Sequence, residues 1–354
     1  MFEKYIGKEK YKHLGNTIFS KIDEIVNAAK NDEKTTSEGA NNLNVFASKS
    51  DYISGNSTIF LRFQNRLLNV RALQKEPLIG KVVISFIEDD RVEEFYITRY
   101  SPPSGVYNIV SYRAPKGRLA ALNVGKIYDY GEEIKIEKYE GKKICILQQL
   151  RFTPEYSTYW DTIHNEYCDK VDIEKQTFKS MVELLSTLQN IVDDKTYDEW
   201  KRKLEDYEDA EIIEVFGLKD RPILDHIQDE IFRKKIDTSI FLLGPAGTGK
   251  TTTLIRRLGQ KLDVDNLTEQ ERLLFNDPLD KNGKEHIKSW ILFTPSDLLK
   301  SYLKEAFNKE NIPAPDKNIT TWDDYKLNFG KDLSILREME KNKIGFTIKR
   351  VFKI

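Results

Sequence analysis

The chain has 354 residues, with 56 Lys and Arg against 57 Asp and Glu, four His, two Cys and a formal net charge of -1. At about 100 to 200 residues per domain this length accommodates two or three domains, and the near-zero charge disfavours a protein that coats nucleic acid uniformly. Cys145 and Cys168 build neither a disulfide framework nor a metal cluster, no run approaches the roughly 18 apolar residues of a membrane span, and MFEKYIGKEK lacks the apolar stretch of a secretory signal, so a cytoplasmic protein without a membrane partner is expected.

The first 79 residues read as helical. Leu14, Ile18, Ile22, Ile25 and Val26 fall on one helical face, and Ile59, Phe63, Leu67, Leu68 and Leu73 on another. Between them NDEKTTSEGANN is polar enough for a turn, so the two helices form a hairpin or a small bundle. From Gly80 the period changes to short runs rich in Val, Ile and Tyr, broken by Pro102, Pro103 and Gly105 and again by Pro115 and Gly117, as a small antiparallel sheet requires. This domain is expected to end near Arg151, with a short helix after Gly117.

RAPKGRLAALNVGKIYDYGEEIKIEKYEGKKICIL resembles the C-terminal domain of the Gre-type bacterial transcript-cleavage factors, through Pro115, Gly117, Arg118, Leu119, Ala120, Gly125 and Gly131. The resemblance implies an FKBP-like domain over 80–151 that docks on RNA polymerase, preceded by a helical hairpin with an acidic tip. Asp32, Glu33 and Glu38 fall where that tip would be.

Residues 155–215 hold 17 acidic and 7 basic residues, and residues 281–350 hold 14 basic and 10 acidic. The acidic stretch, with Met181, Leu184, Leu185, Leu188 and Ile191 at helical spacing, reads as a helical connector over 152–220. Trp160, Tyr167, Tyr197 and Trp200 are candidates for its core or for a partner contact. The four histidines have no spacing of a ligand set.

SIFLLGPAGTGKTTTLIRRLGQKL carries the strongest signal: an apolar strand, a glycine-rich turn and a helix. Gly244, Pro245, Ala246, Gly247, Thr248, Gly249, Lys250, Thr251 and Thr252 satisfy the P-loop pattern, in which glycines let backbone N–H groups wrap phosphate oxygens at a helix start. Lys250 would reach the terminal phosphates of ATP, and Thr251 would ligate Mg²⁺ through its hydroxyl. Upstream, Gln228 offers an amide to an adenine edge. Downstream, SWILFTPSD and NITTWDD place Thr294, Ser296, Thr320, Thr321 and Trp322 at strand ends, where hydroxyls and an aromatic can hold single-stranded DNA. Each can equally cap a helix or fill a core.

These pieces together resemble the first RecA-like lobe of UvrD/Rep-type superfamily 1 DNA helicases. Leu224 and Gln228 match the adenine-recognising motif, Gly244 to Thr252 the P-loop, Thr294 to Ser296 a DNA-contacting motif, and Thr320 to Trp322 loosely a second one. Asp225 stands for the usual Asn and Asp323 near the usual His. The combination of modules is also similar to HelD-type RNA polymerase recycling ATPases.

No apolar strand closing in paired Asp and Glu follows Ile319. Hydrolysis and motion are therefore expected to require a further C-terminal motor portion, leaving ATP binding with Mg²⁺ and little turnover. The expected fold is multidomain α/β: N-terminal helices (1–79), a small FKBP-like α+β domain (80–151), an acidic helical connector (152–220) and an incomplete P-loop RecA-like lobe (221–354). Two functions compete, an ATP-binding portion of a DNA helicase or translocase and a nucleotide-responsive RNA polymerase-binding factor.

Overall fold

The computed structural model describes residues 2–46, 56–129, 141–171, 175–190, 222–263, 266–268, 270, 271, 273, 290–333, 336–338 and 346–348. The chain divides into two compact units, residues 1–243 with 265–268, and residues 244–264 with 269–354. It is a multidomain protein with N-terminal helices, a mixed sheet, further helices and a small parallel sheet.

The first unit opens with helix α1 (Phe2–Phe46), against which α2 (Asn56–Lys75) packs as a helical hairpin. The predicted face of α1 is the buried one: Leu14, Ile18, Ile22, Ile25 and Val26 are all at most 8% exposed. On α2 the described buried apolar residues are Val70 and Leu73, while Leu68 stays exposed. The polar segment 31–42 is not a turn, because α1 runs straight through it. Two of its side chains, Asp32 and Glu33, make helix–helix contacts that offset weak helix propensity. Asp32 pairs with Arg66, and Glu33 accepts from Arg71 at 2.7 Å and Gln74 at 2.6 Å. Asp32 also accepts from the backbone of Ser104 at 2.9 Å, and Arg66 donates to Pro102 O at 3.1 Å, strapping the 101–105 loop to the hairpin.

Strands β1 (Gly80–Phe86), β2 (Val92–Thr98), β3 (Ile109–Ser111), β4 (Ile127–Asp129), β5 (Lys143–Tyr156), β6 (Trp160–Asp169) and β7 (Gln176–Ser180) form one sheet, ordered β3-β2-β1-β5-β6-β7, with β4 also on β5. Every pair is antiparallel except β2 with β3. Alternation distributes side chains between two cores. Val82, Ile84, Phe86, Phe95 and Ile97 meet a 3-10 helix (Pro115–Ala121) and helix α4 (His226–Arg233) on one face. On the other, Tyr96, Leu150, Phe152 and Tyr167 meet α1 and helix α3 (Met181–Asn190). A bulge makes this possible for β5: Ile146 faces Ile84 and Gln148 faces Val83, so Leu147 is the extra residue and the strand changes face there. Ile144 and Ile146 belong to the first core, Leu150 and Phe152 to the second. Gln149 therefore points at the 3-10 helix, donating to Ala120 O at 2.6 Å and Leu122 O at 3.2 Å.

Gly117 permits this packing, since a Cβ there would stand 2.4 Å from Ser111 O and 2.6 Å from Tyr112 Cα. Helix α4 is bound just as firmly to the unit. Ile223, Leu224 and Phe232 join the first core, Phe232 stacks on Tyr112 at 5.4 Å, and buried Asp229 accepts from Tyr112 Oη at 2.8 Å and from Arg233 Nε at 3.0 Å.

One expectation is overturned between 152 and 180. The sheet does not end near Arg151; β5 continues to Tyr156 and β6 and β7 follow, where a helical connector was expected. The inward residues of β6 include Thr162, Asn165 and Asp169, all buried, so the strand lacks the apolar alternation by which it would be recognised. They are hydrogen-bonded: Asn165 donates to Thr162 O at 2.6 Å, and Asp169 accepts from Tyr167 Oη at 2.9 Å and from Lys10 of α1. Asp161 caps α3 through Val182 N at 3.1 Å. The connector's remainder, 191–220 with Tyr197 and Trp200, lies outside the described residues, as does Gly131.

In the second unit, helix α5 (Lys250–Leu262), strand β8 (Leu292–Thr294), helix α6 (Asp297–Lys309), strand β9 (Ile319–Thr321) and helix α7 (Trp322–Asp332) precede a short hairpin of β10 (Leu336–Glu338) and β11 (Phe346–Ile348). β8 and β9 are parallel. Ile255, Leu303, Phe307, Ile312 and Ile319 form the core, and Trp290 stacks on Phe307 at 5.1 Å. The buried pairs Arg256–Glu310 at 3.0 Å and Lys261–Glu271 at 2.6 Å fix α5 within it. Among the described residues no helix is long and apolar enough to cross a membrane.

Candidate functional site

The glycine-rich turn opens the second unit. Gly244 to Gly249 lead into α5, and Gly247 and Gly249 take φ values of +80° and +75°, a left-handed backbone that residues with a Cβ adopt at a cost. Gly249 is the N-cap and supplies no side-chain acceptor, so the start of α5 presents backbone donors and the positive end of its dipole to an anion. Lys250 Nζ donates to Gly244 O at 2.8 Å and to Pro245 O, and Thr248 Oγ1 donates to Pro245 O at 3.0 Å. A Cβ on Gly247 would meet nothing within 4 Å, leaving that side of the loop open. Pro245, Ala246 and Thr251 are exposed and Thr252 is half-buried. The Lys250 side chain is thus folded back over the loop, and Thr251 follows it as an exposed residue at the start of α5.

The strand expected ahead of this loop is not formed. Residues 238–243 make no strand, and Phe241 and Leu243 are 86% and 82% exposed. A parallel strand of such composition needs neighbours that cover both its faces, and among the described residues β8 and β9 pair with each other.

Leu224 and Gln228 lie in the first unit. Leu224 is 2% exposed in the core beneath the sheet. Gln228 is the third residue of α4 and completes a capping box: its N–H donates to Asp225 Oδ1 at 2.8 Å, and its Oε1 accepts from Asp225 N at 3.4 Å. Asp225 thus does the work of a helix cap.

Thr294 and Thr321 stand opposite each other at the carboxyl ends of β8 and β9. Their hydroxyls, and that of Ser296, are engaged locally. Thr294 Oγ1 donates to Ser296 O at 3.0 Å, Ser296 caps α6 through Leu299 N at 3.4 Å, and Thr321 caps α7 through Asp324 N at 3.2 Å. Trp322 behaves otherwise. It is 56% exposed, edge-on to Phe293 at 5.2 Å, and begins a row in which Tyr325 stacks on it at 5.9 Å and Phe329 on Tyr325 at 5.8 Å. Sequence reasoning missed Tyr325 and Phe329, although their spacing of three and four residues along one helix face was available as a signal. The surroundings are not basic, since residues 290–333 carry six Lys and seven Asp or Glu.

Asp32 and Glu33 are not tip residues either. Both are bound within the hairpin stem, and hydrogen bonds from Arg71 and Gln74 hold the Glu33 carboxyl below its ordinary pKa. The side chain of Glu38 lies outside the described residues. Among the described residues no cluster of three or more His, Cys, Asp or Glu could hold a metal ion. No protein-family model matches the chain, and no curated protein matches it.

Proposed function

We propose that the second unit binds ATP together with Mg²⁺. The backbone N–H groups of Gly247 to Thr252 would surround the phosphates, Lys250 would neutralise the terminal ones, and Thr251 would supply a hydroxyl oxygen to the metal. What carries this reading is the left-handed pair Gly247 and Gly249 delivering the chain into α5 with Lys250 folded back over the loop. Magnesium, when bound, would offset the charge of the phosphates.

In the wider reading the lobe serves an ATP-dependent DNA helicase or translocase of UvrD/Rep type, with single-stranded DNA meeting the carboxyl ends of β8 and β9 and stacking on Trp322. Hydrolysis also needs groups that orient water, which this reading assigns to a further motor portion. Isothermal calorimetry with Mg-ATP tests the binding step. Lys250→Ala removes a charged hydrogen-bond partner and should weaken binding by about tenfold to a hundredfold; unchanged affinity refutes the phosphate-loop assignment.

The α1–α2 hairpin beside a sheet domain bearing the Pro115–Ala121 turn favours a second reading, docking on RNA polymerase. A pull-down with purified polymerase should use the full chain, because a fragment ending at 155 would cut β6, β7, α3 and α4 from the cores they complete.

A further inference from the structure

We propose that the tip of the β5–β6 hairpin is a docking site for a basic segment of a partner protein, which sets an arginine or lysine side chain against Tyr156 and Trp160. The two strands run on beyond their neighbours in the sheet. Pairing of β1 with β5 stops at Arg151 and pairing of β7 with β6 stops at Ile163, whereas β5 and β6 stay paired to Tyr156 and Trp160. Those two residues stand directly opposite each other, with ring centroids 5.0 Å apart and planes at 53°, so neither ring lies flat over the other. Trp160 is anchored by packing against the second core, while Tyr156 and Tyr159 are 62% and 58% exposed. Tyr and Trp are the residues that dominate binding surfaces, because each offers a large ring area.

The charge of the hairpin selects the partner. From Phe152 to Asp169 it carries Glu155, Asp161, Glu166 and Asp169 and neither Lys nor Arg. Three of the four acids are engaged: Asp161 accepts from Ser180 Oγ at 2.5 Å and Val182 N at 3.1 Å, Glu166 faces Lys175 at 3.1 Å, and Asp169 pairs with Lys10. Glu155 is exposed, has no ion pair among the described residues, and stands directly opposite Asp161, a like-charge arrangement that costs stability. Alternation puts the two rings on one side of this ribbon and the two carboxylates on the other. The ribbon is a single layer of backbone, so both sides lie within about 8 Å, the Debye length at physiological salt. A cation therefore gains from the negative ring faces and from the field of Glu155 together. A nucleic acid could stack on the same rings, but its phosphates would meet the carboxylates. A segment with two cationic side chains can place one on Tyr156 and reach Glu155 with the other.

The test uses the full chain labelled with ¹⁵N-tryptophan, which has four indole resonances to follow, that of Trp160 being assigned by its loss in Trp160→Phe. Titration with the blocked peptide Gly-Arg-Gly-Arg-Gly should move the Trp160 resonance, and Gly-Glu-Gly-Glu-Gly should leave it in place. Tyr156→Leu, which keeps apolar bulk and removes the ring, should weaken the arginine peptide by about twofold to fivefold. Glu155→Gln should weaken it as well and flatten its dependence on salt. Thermal denaturation should be nearly the same for wild type and both variants, since both side chains are exposed. An unmoved Trp160 resonance, equal response to the glutamate peptide, or undiminished affinity in both variants overturns the proposal. A shift with oligothymidylate but not with the arginine peptide overturns it too, and assigns the tip to nucleic acid instead.

Discussion

Replacing Asp229 by Ala asks how strongly helix α4 is fixed to the sheet. Its carboxylate, 2% exposed, accepts from Tyr112 Oη at 2.8 Å and, through both oxygens, from Arg233 Nε at 3.0 Å. Arg233 continues to Ala114 O at 2.8 Å and Tyr112 O at 2.9 Å, and Arg118 Nε stands 3.6 Å from the carboxylate. Deleting the carboxylate strands a guanidinium that is 11% exposed, with backbone carbonyls but without its counter-charge. Breaking one partner of such a pair costs about 3 to 5 kcal/mol, and the surviving carbonyl bonds place the expected loss near the lower end. Asp229→Asn keeps an acceptor for Tyr112 and should cost about 1 to 2 kcal/mol. The double variant Asp229→Ala/Arg233→Met should lose less than the two single losses combined, because the buried guanidinium of residue 233 goes together with its counter-charge. Urea unfolding followed by circular dichroism gives the magnitude, and amide exchange over 226–233 locates it. A loss below about 1 kcal/mol for the Ala variant, or an additive double variant, refutes the reasoning.

The neighbours Thr321 and Trp322 should separate by assay. Thr321→Ala removes the cap of α7 and should cost about 1 kcal/mol of stability in thermal denaturation. Trp322→Ala should change stability by no more than about 0.5 kcal/mol, yet weaken binding of a labelled oligothymidylate by about 1 to 3 kcal/mol in fluorescence anisotropy; unaltered anisotropy would remove Trp322 from the nucleic-acid face. Glu33 supplies a pH dependence. Hydrogen bonds from Arg71 and Gln74 depress its pKa below 4.5 in the folded state, so its contribution is present above that value and disappears as pH falls through the folded pKa. Thermal denaturation of wild type and Glu33→Gln should therefore differ at neutral pH and converge in acid, and a constant difference would detach Glu33 from acid stability.

The legible parts of the fold were those whose burial is written in apolar spacing. The face of α1 from Leu14 to Val26 follows the helical period, β1 puts every second residue into one core, and β2 alternates between the two. Strand β6 was hidden because its inner positions include hydrogen-bonded polar residues, and two of the acids assigned to a helical connector, Asp161 and Asp169, serve as a cap and a bridge. Helix α1 was interrupted on paper because the partners of Asp32 and Glu33 lie on α2, more than 30 residues away. Helix α4 was attached to the wrong neighbour for the same reason. Its proximity in sequence to the glycine-rich turn is plain, whereas Tyr112, which holds Asp229, is 117 residues upstream. At the candidate site the glycines and Lys250 were readable from the motif alone. The local capping roles of Thr294, Ser296 and Thr321 were open alternatives until their donors were located.

The extra residue Leu147 has a consequence for how the first unit comes apart. Because β5 supplies Ile144 and Ile146 to one layer and Leu150 and Phe152 to the other, the two layers share a single backbone ladder. Both layers lean on the pairing of β5 with β1 and β6, so the helical hairpin side and the α4 side are expected to unfold together under heat or denaturant. A one-residue deletion at this point would do what no side-chain substitution can: it would turn Leu150 and Phe152 onto the side that holds Ile144 and Ile146, and Gln149 onto the other.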